Sequence, residues 1–180
     1  MQYNALTWVI FSALYVTIIN NLIGLVMSKE RFHELLTEAA QWLSKHNVTP
    51  ALAKPLNHQF PANGDWYEEI KWLCQSGSEE GWLCKYEAGG IRYGQVFKPS
   101  AELANFSVDV VLMSNVVGPH HSHPNGEIDL VIPLAEGAAF DGTTEGWKVY
   151  EPGSAHKPTV SGGEAFVIYL LPDGAINFTT

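Results

Sequence analysis

The chain is short of positive charge. Lys and Arg together number 10 against 19 Asp and Glu, for a formal net charge of -9 over 180 residues. No basic run occurs, which argues against a nucleic-acid partner, since neutralising phosphates takes clustered Lys and Arg. Cysteine is scarce as well. Only Cys74 and Cys84 occur, at a spacing that fits no zinc motif and builds no disulfide framework. Two buried thiols in a reducing compartment are expected, and the predicted location is the cytoplasm. A Gly-x-Ser-x-Gly elbow and a phosphate-binding glycine loop are both missing, as are internal repeats.

Charge is absent altogether from residues 5–26, ALTWVIFSALYVTIINNLIGLV, a run about long enough to span a bilayer. No Lys or Arg precedes Lys29, which argues against a signal peptide. Three readings stand open. The run is a membrane anchor, a segment packed on the domain or on a partner subunit, or sequence outside the mature protein. Met27-Ser-Lys-Glu30 resembles a natural start and favours the last. A membrane partner is expected only if the anchor reading holds.

Residues 27–80 read as a helical part. Ser28 and Glu30 suit the start of a helix. Phe32, Leu35, Leu36, Ala39, Trp42 and Leu43 then recur at helical spacing. Residues 50–64, with Pro50, Pro55, Pro61 and Gly64, read as a linker or a short helical turn. A second helix is expected from a capping-box-like Asp65 and Glu68 to Gly77. From residue 81 to 180 short β-rich runs follow one another: Trp82–Glu87, Ile91–Phe97, Phe106–Val117, Glu127–Leu134, Trp147–Tyr150, Ala165–Leu171 and Ile176–Thr179. Gly162-Gly163 reads as a tight turn. No helix separates these runs, so an antiparallel sandwich or barrel is expected rather than a parallel sheet.

The chemistry-bearing residues gather in Gly118-Pro-His-His-Ser-His-Pro-Asn-Gly-Glu127, which holds three of the seven histidines. In extended chain His121 and His123 share a face. Imidazole and carboxylate at this spacing point to a metal site for Zn, Fe, Mn or Ni, or to proton transfer. A further histidine follows in Glu151-Pro-Gly-Ser-Ala-His156.

His121-Ser-His123-Pro-Asn-Gly-Glu127 resembles the first motif of the cupins, H-x-H-x(3,4)-E. Gly146-Trp-Lys-Val-Tyr-Glu-Pro152-Gly153-Ser-Ala-His156 resembles the second, although Pro152 and Gly153 are one residue closer than the pattern. Val160 stands where its terminal Asn is expected. Across residues 65–180, Gly89-Gly-Ile-Arg-Tyr-Gly94, Phe106-Ser-Val-Asp-Val-Val111 and Tyr169-Leu-Leu-Pro172 carry the likeness further. They resemble the bacterial 4-hydroxylaminobenzoate lyase family. The resemblance implies a mainly β, cupin-like antiparallel jelly-roll barrel preceded by a pair of α-helices. It also implies the conversion of 4-hydroxylaminobenzoate to 3,4-dihydroxybenzoate and ammonia, in degradation of 4-nitrobenzoate.

Family logic makes His121, His123, Glu127 and His156 the ligands of a divalent metal. Glu127, His121 and His123 are also the expected proton carriers. His120, pointing the other way, is expected to support the ligands or to lie at the surface. Asp129, on the face of Glu127, is expected to replace it or to orient a histidine. An aromatic carboxylate substrate needs an anchor, for which Arg92 and Lys157 are candidates. Tyr93, Trp147 and Tyr150 are candidates for stacking on its ring. A homodimer is the expected assembly. Competing functions are a cupin dioxygenase or isomerase for another small molecule, and a binding cupin without catalysis.

Overall fold

The computed structural model describes Gly24 and residues 26–179. The apolar run 5–26, and the choice among its three readings, lies almost wholly outside the described residues. No helix among the described residues is long and apolar enough to cross a membrane.

Among the described residues three helices precede the strands, not two. Helix α1 covers residues 26–43. After a single turn at Pro50–Leu52 come α2 (Ala53–Gln59) and α3 (Asp65–Glu79). The proline-rich stretch is helical because Pro50 and Pro55 fall in first turns, where a missing N–H breaks no intrahelical bond. Ser28 is not a cap: its hydroxyl donates to the Gly24 carbonyl from within the helical turn (2.9 Å). Asp65 and Glu68 lie in the first turn of α3 behind Gly64, with no side-chain cap. Their charge opposes the positive end of the helix dipole instead. Helix α3 runs past Gly77, whose carbonyl takes the N–H groups of Trp82 and Leu83 as the chain folds back (3.0 and 2.9 Å). Those bonds, with Cys84 at φ 49°, keep residues 82–85 out of a strand.

The strands are β1 (Tyr86–Ala88), β2 (Ile91–Phe97), β3 (Phe106–Val117), β4 (His121–His123), β5 (Glu127–Pro133), β6 (Ala139–Phe140), β7 (Gly146–Tyr150), β8 (Ser154–His156), β9 (Thr159–Pro172) and β10 (Asn177–Phe178). All their pairings are antiparallel. A large sheet has the order β1-β2-β3-β9-β5-β7, with β6 beside β9, and a small one the order β10-β4-β8. Strand β9 passes straight through Gly162-Gly163, so these glycines form no hairpin turn. The register shift between Ser114 and Val116 on β3 absorbs the irregularity.

Side-chain alternation along β5 and β9 assigns the two faces of the large sheet. Ile128, Leu130, Ile132, Phe166, Ile168 and Leu170 pack with Phe32, Leu36, Leu56, Tyr67, Ile70 and Leu73 of the helices. Val131, Ala165, Val167, Tyr169 and Leu171 face the other way, onto Met113 and Phe140. The helices therefore cover one face of the sheet, and the opposite face looks into the site. At this depth each large apolar side chain contributes roughly 1.5–3 kcal/mol. Two polar bonds lock the helices on. Tyr67 Oη donates to the Val131 carbonyl (2.8 Å). Asn57 exchanges bonds with both backbone groups of Trp147 on β7 (3.0 and 3.2 Å), covering a sheet edge that would otherwise stay open.

Candidate metal centre

Strands β4 and β8 lie in exact register, His121 opposite His156 and His123 opposite Ser154. Cross-strand partners share a face, so all three histidines turn to the same side of the small sheet. Gly126 returns the chain to β5: its N–H donates to the His123 carbonyl (3.2 Å). Its φ is 89°, and a Cβ there would meet the Tyr150 carbonyl at 2.9 Å, so glycine is required. Glu127 then opens β5 opposite Tyr150.

One nitrogen from each of the three rings and a Glu127 oxygen lie within 4.8 Å of one another. The Nε2 atoms of His121 and His156 are 3.1 Å apart. Glu127 Oε2 is 3.5 Å from His121 Nε2 and 3.3 Å from His123 Nε2, and Oε1 is 3.4 Å from His156 Nε2. The shortened second motif has not displaced His156. Gly153 donates its N–H to the His123 carbonyl (2.8 Å), which closes the loop at the right height.

Each ring also has its other nitrogen occupied. Nδ1 of His121 meets the Pro119 carbonyl (3.2 Å), that of His123 the Ser154 hydroxyl (3.0 Å), and that of His156 Asp141 Oδ2 (2.6 Å). With Nδ1 occupied on each ring, each Nε2 is left facing Glu127, free to ligate once it is deprotonated. Glu127 and His123 are fully buried, yet neither Glu127 oxygen nor His123 Nε2 has a hydrogen-bond partner. Buried polar atoms are almost always paired, so a convergent unpaired set has the chemistry of a cation site. Three imidazoles and one carboxylate fit a divalent transition metal.

The electrostatics agree with that arrangement. Burial pulls the His123 imidazole down to about 4, so it is neutral near physiological pH. Burial also pulls on His156, but the bond to Asp141 and the Glu127 charge outweigh it and raise its pKa to about 9. Burial raises Glu127, and the neighbouring imidazoles of His121 and His156 more than reverse the effect, keeping it ionised. Asp129 behaves oppositely. It is completely buried, without a hydrogen-bond partner, and burial plus the charge of Glu127 hold it well above the carboxylate range.

The remaining predicted residues divide. Tyr150 stands at the centre, its ring 4.4 Å from that of His156 and 5.4 Å from that of His123. Trp147 is turned to the helix face, where its Nε1 donates to the Phe60 carbonyl (3.2 Å). Arg92 is not brought to the centre. It pairs with Leu112, whose side faces the helices, and its guanidinium reaches the Ser78 and Cys84 carbonyls (3.4 and 3.5 Å). Tyr93 stacks on Tyr86 at 5.8 Å. Lys157 and His120 line a surface hollow of about 620 Å³ with Gly118, Pro119 and Thr179, a hollow to which no histidine of the centre contributes. His120 Nδ1 contacts the Thr179 hydroxyl, so it ties β10 down.

Three residues at the centre escape a reading by motif. Phe178, paired with His121 in the register of β10 and β4, sets its ring 5.6 Å from that imidazole while staying 65% exposed. Lys148 places its Nζ 5.3 Å above the Tyr150 ring. Asp141 reaches His156 from the turn after β6. The Asp-Gly pair at 141–142 is a hairpin signal, and it was the only advance sign of that contact.

Two antiparallel sheets, helices over the outer face of the larger, and three histidines with a glutamate between them define a cupin-like protein. Residues 34–178 match the family described as PnbB: 4-hydroxylaminobenzoate lyase, and the chain belongs to that family. A protein named 4-hydroxylaminobenzoate lyase from Nocardioides sp. (strain LMS-CY) is 35% identical over 136 residues, covering 71% of this chain and 80% of the relative. One of the same name from Pseudomonas putida is 34% identical over 140 residues, covering 68% and 80%. Membership makes the chain an enzyme of the lyase kind. Among solved structures, an RmlC-like cupin protein from Ralstonia eutropha aligns over 52% of this chain and 62% of its own, with 10% identity and a TM-score of 0.40. The DMSP lyase DddQ from Ruegeria pomeroyi aligns over 82% and 95%, with 16% identity and a TM-score of 0.35. At those scores neither likeness bears on function.

Proposed function

We propose that the chain converts 4-hydroxylaminobenzoate to 3,4-dihydroxybenzoate and ammonia at this centre. The observation that carries the reading is the convergence of three Nε2 atoms on Glu127, with both Glu127 oxygens and His123 Nε2 buried and unpaired, in a chain of this family. His121, His123, Glu127 and His156 would hold a divalent metal. When bound, it supplies Lewis acidity, polarising an oxygen brought to the site.

The reaction balances without an outside oxidant. The N–O bond breaks as its oxygen is protonated and leaves as water. A second water adds to the ring carbon beside the nitrogen, and a third hydrolyses the resulting imine to release ammonia. The nitrogen gains the electron pair that the ring carbon loses.

The chain's own groups suit this sequence. Asp129, fully buried beside Glu127 with its pKa pushed upward by that burial, is the group suited to hold and deliver a proton. The rings of Tyr150 and Phe178 flank the imidazoles and offer an aryl substrate flat apolar surfaces. Lys148, with its Nζ 5.3 Å above the Tyr150 ring, is our candidate anchor for the substrate carboxylate in preference to Arg92, whose guanidinium contacts the Ser78 and Cys84 carbonyls.

The test is incubation of the metal-loaded protein with 4-hydroxylaminobenzoate in the absence of dioxygen. Ammonia and 3,4-dihydroxybenzoate should appear in equal amounts. Absence of both would reject the assignment, and a requirement for dioxygen would point to an oxygenase.

A further inference from the structure

We infer that Asp141 is a positioning residue of the centre, the anionic acceptor that fixes the His156 ring with Nε2 toward the other ligands. This rests on the metal-centre part of the reading above, and not on the identity of the substrate.

The inference begins with the backbone. Phe140 and Thr143 exchange both of their bonds (2.8 Å each), enclosing a two-residue turn of Asp141 and Gly142. Their φ angles are 44° and 82°. Two successive positive values are the geometry of the tight hairpin turn in which Asp-Gly is favoured, because Asp tolerates the left-handed region and Gly adopts it freely. The turn is held from outside as well. Asp141 N–H donates to the Thr159 carbonyl (2.9 Å), and Lys148 Nζ donates to the Asp141 carbonyl (3.1 Å). Its position is thus fixed before the side chain makes any contact.

The side chain then makes three contacts. Oδ1 accepts the Thr159 N–H (2.8 Å). Oδ2 accepts the Tyr150 hydroxyl (2.6 Å) and faces His156 Nδ1 (2.6 Å). The three ligand histidines differ here. His121 and His123 lean on neutral acceptors, a carbonyl and a hydroxyl, and both are almost fully buried. His156 is the most exposed of the three, at 12%, and is the one given a charged acceptor. Packing alone restrains that ring least, so a short charge-assisted bond has the most to supply there. The same oxygen holds Tyr150, whose ring lies against His156, so one carboxylate restrains the imidazole at its nitrogen and on its face.

The experiment is a titration of the metal-free full chain with Zn(II), following binding by calorimetry. Asp141→Asn keeps the size and tolerates the turn while removing the charge. Orienting partners of this kind are worth about 10–100-fold in metal affinity, and a loss of that size is expected once each affinity is corrected for the proton that His156 releases on binding. The melting temperature of the metal-free protein should stay close to that of the parent. If Asp141→Asn does not fold, Asp141→Gly, which the turn accepts without strain, replaces it with the same expectation. A mutant cycle supplies the reading that a merely structural role would not move. Because Asp141 acts through His156, adding Asp141→Asn to His156→Ala should cost no further affinity. Full additivity of the two losses, or unchanged affinity in Asp141→Asn, would overturn the inference. A parent chain that takes up no Zn(II) would remove the metal centre itself, and this role with it.

Discussion

Asp129 and Glu127 are two residues apart on one strand, equally buried, and shifted in opposite directions in their pKa. Glu127 lies among imidazoles, whereas Asp129 is buried beside the charges of Glu127 and Asp141, which the Lys148 ammonium offsets only in part. We expect Asp129 to be neutral, so that Asp129→Asn is close to a replacement of like by like. We expect it to change Zn(II) affinity by less than about threefold, against the roughly 10–100-fold cost of losing a group that ligates or orients the metal. A larger loss, read by the same titration, would mean that Asp129 is an ionised ligand. The imidazoles give a second expectation at this scale. His156, with its pKa near 9, carries a proton in the metal-free chain at neutral pH, while His123, near 4, does not. A ligand must be deprotonated, so His156 contributes a released proton on metal uptake. Its share of the affinity should rise about tenfold per pH unit until the pH passes its pKa. Calorimetry in buffers of different ionisation enthalpy counts the protons. His121, His123, Glu127 and His156 were legible because a strand's alternation and a short turn put three of them within seven residues. Asp141 was not, since its contact depends on where a hairpin turn comes to rest in space.

Among the elements, the strands with Val, Ile and Phe at alternating positions were legible in sequence: β2, β3, β5 and β7 fall close to where they were expected. Strands β4 and β8 are three residues each and built of His, Ser and Ala, which carry little β preference. They are strands because each completes the other's backbone bonding, a fact of pairing and not of propensity. The helix α2 was masked by its prolines for a related reason, since position within the turn decides whether proline is tolerated. Its Asn57 has a clear mechanical task on β7. Asn57→Ala would leave the buried Trp147 N–H without its acceptor, at about 1–3 kcal/mol. Thermal unfolding should show that cost as a melting temperature several degrees lower, with Zn(II) affinity unchanged.

For the molecule as a whole, a mainly β antiparallel fold was legible, but the place of the helices was not. Amphipathic stripes on α1 and α3 say that one side of each helix is buried, without saying against what. The run Ile128-Asp-Leu-Val-Ile132, apolar at all but one position, held the clue, because a strand buried on both faces needs a second layer over the sheet. That layering also divides the ligand set: Glu127 belongs to the large sheet, and His121, His123 and His156 to the small one. The large sheet is braced by three helices and the long pairing of β3 with β9. The small sheet has only short pairings of its own. A metal bound here would be a cross-link between a stiff layer and a soft one. Stripping it with a chelator should speed amide exchange at His121–His123 and Ser154–His156, and leave β9 as slow as before. Equal acceleration in β9 would show that the layers open together. With β9 unchanged, the small sheet owes its rigidity to its cargo, so that a chain made in metal-poor cells would be fully folded over most of its length and unfinished only where its chemistry takes place.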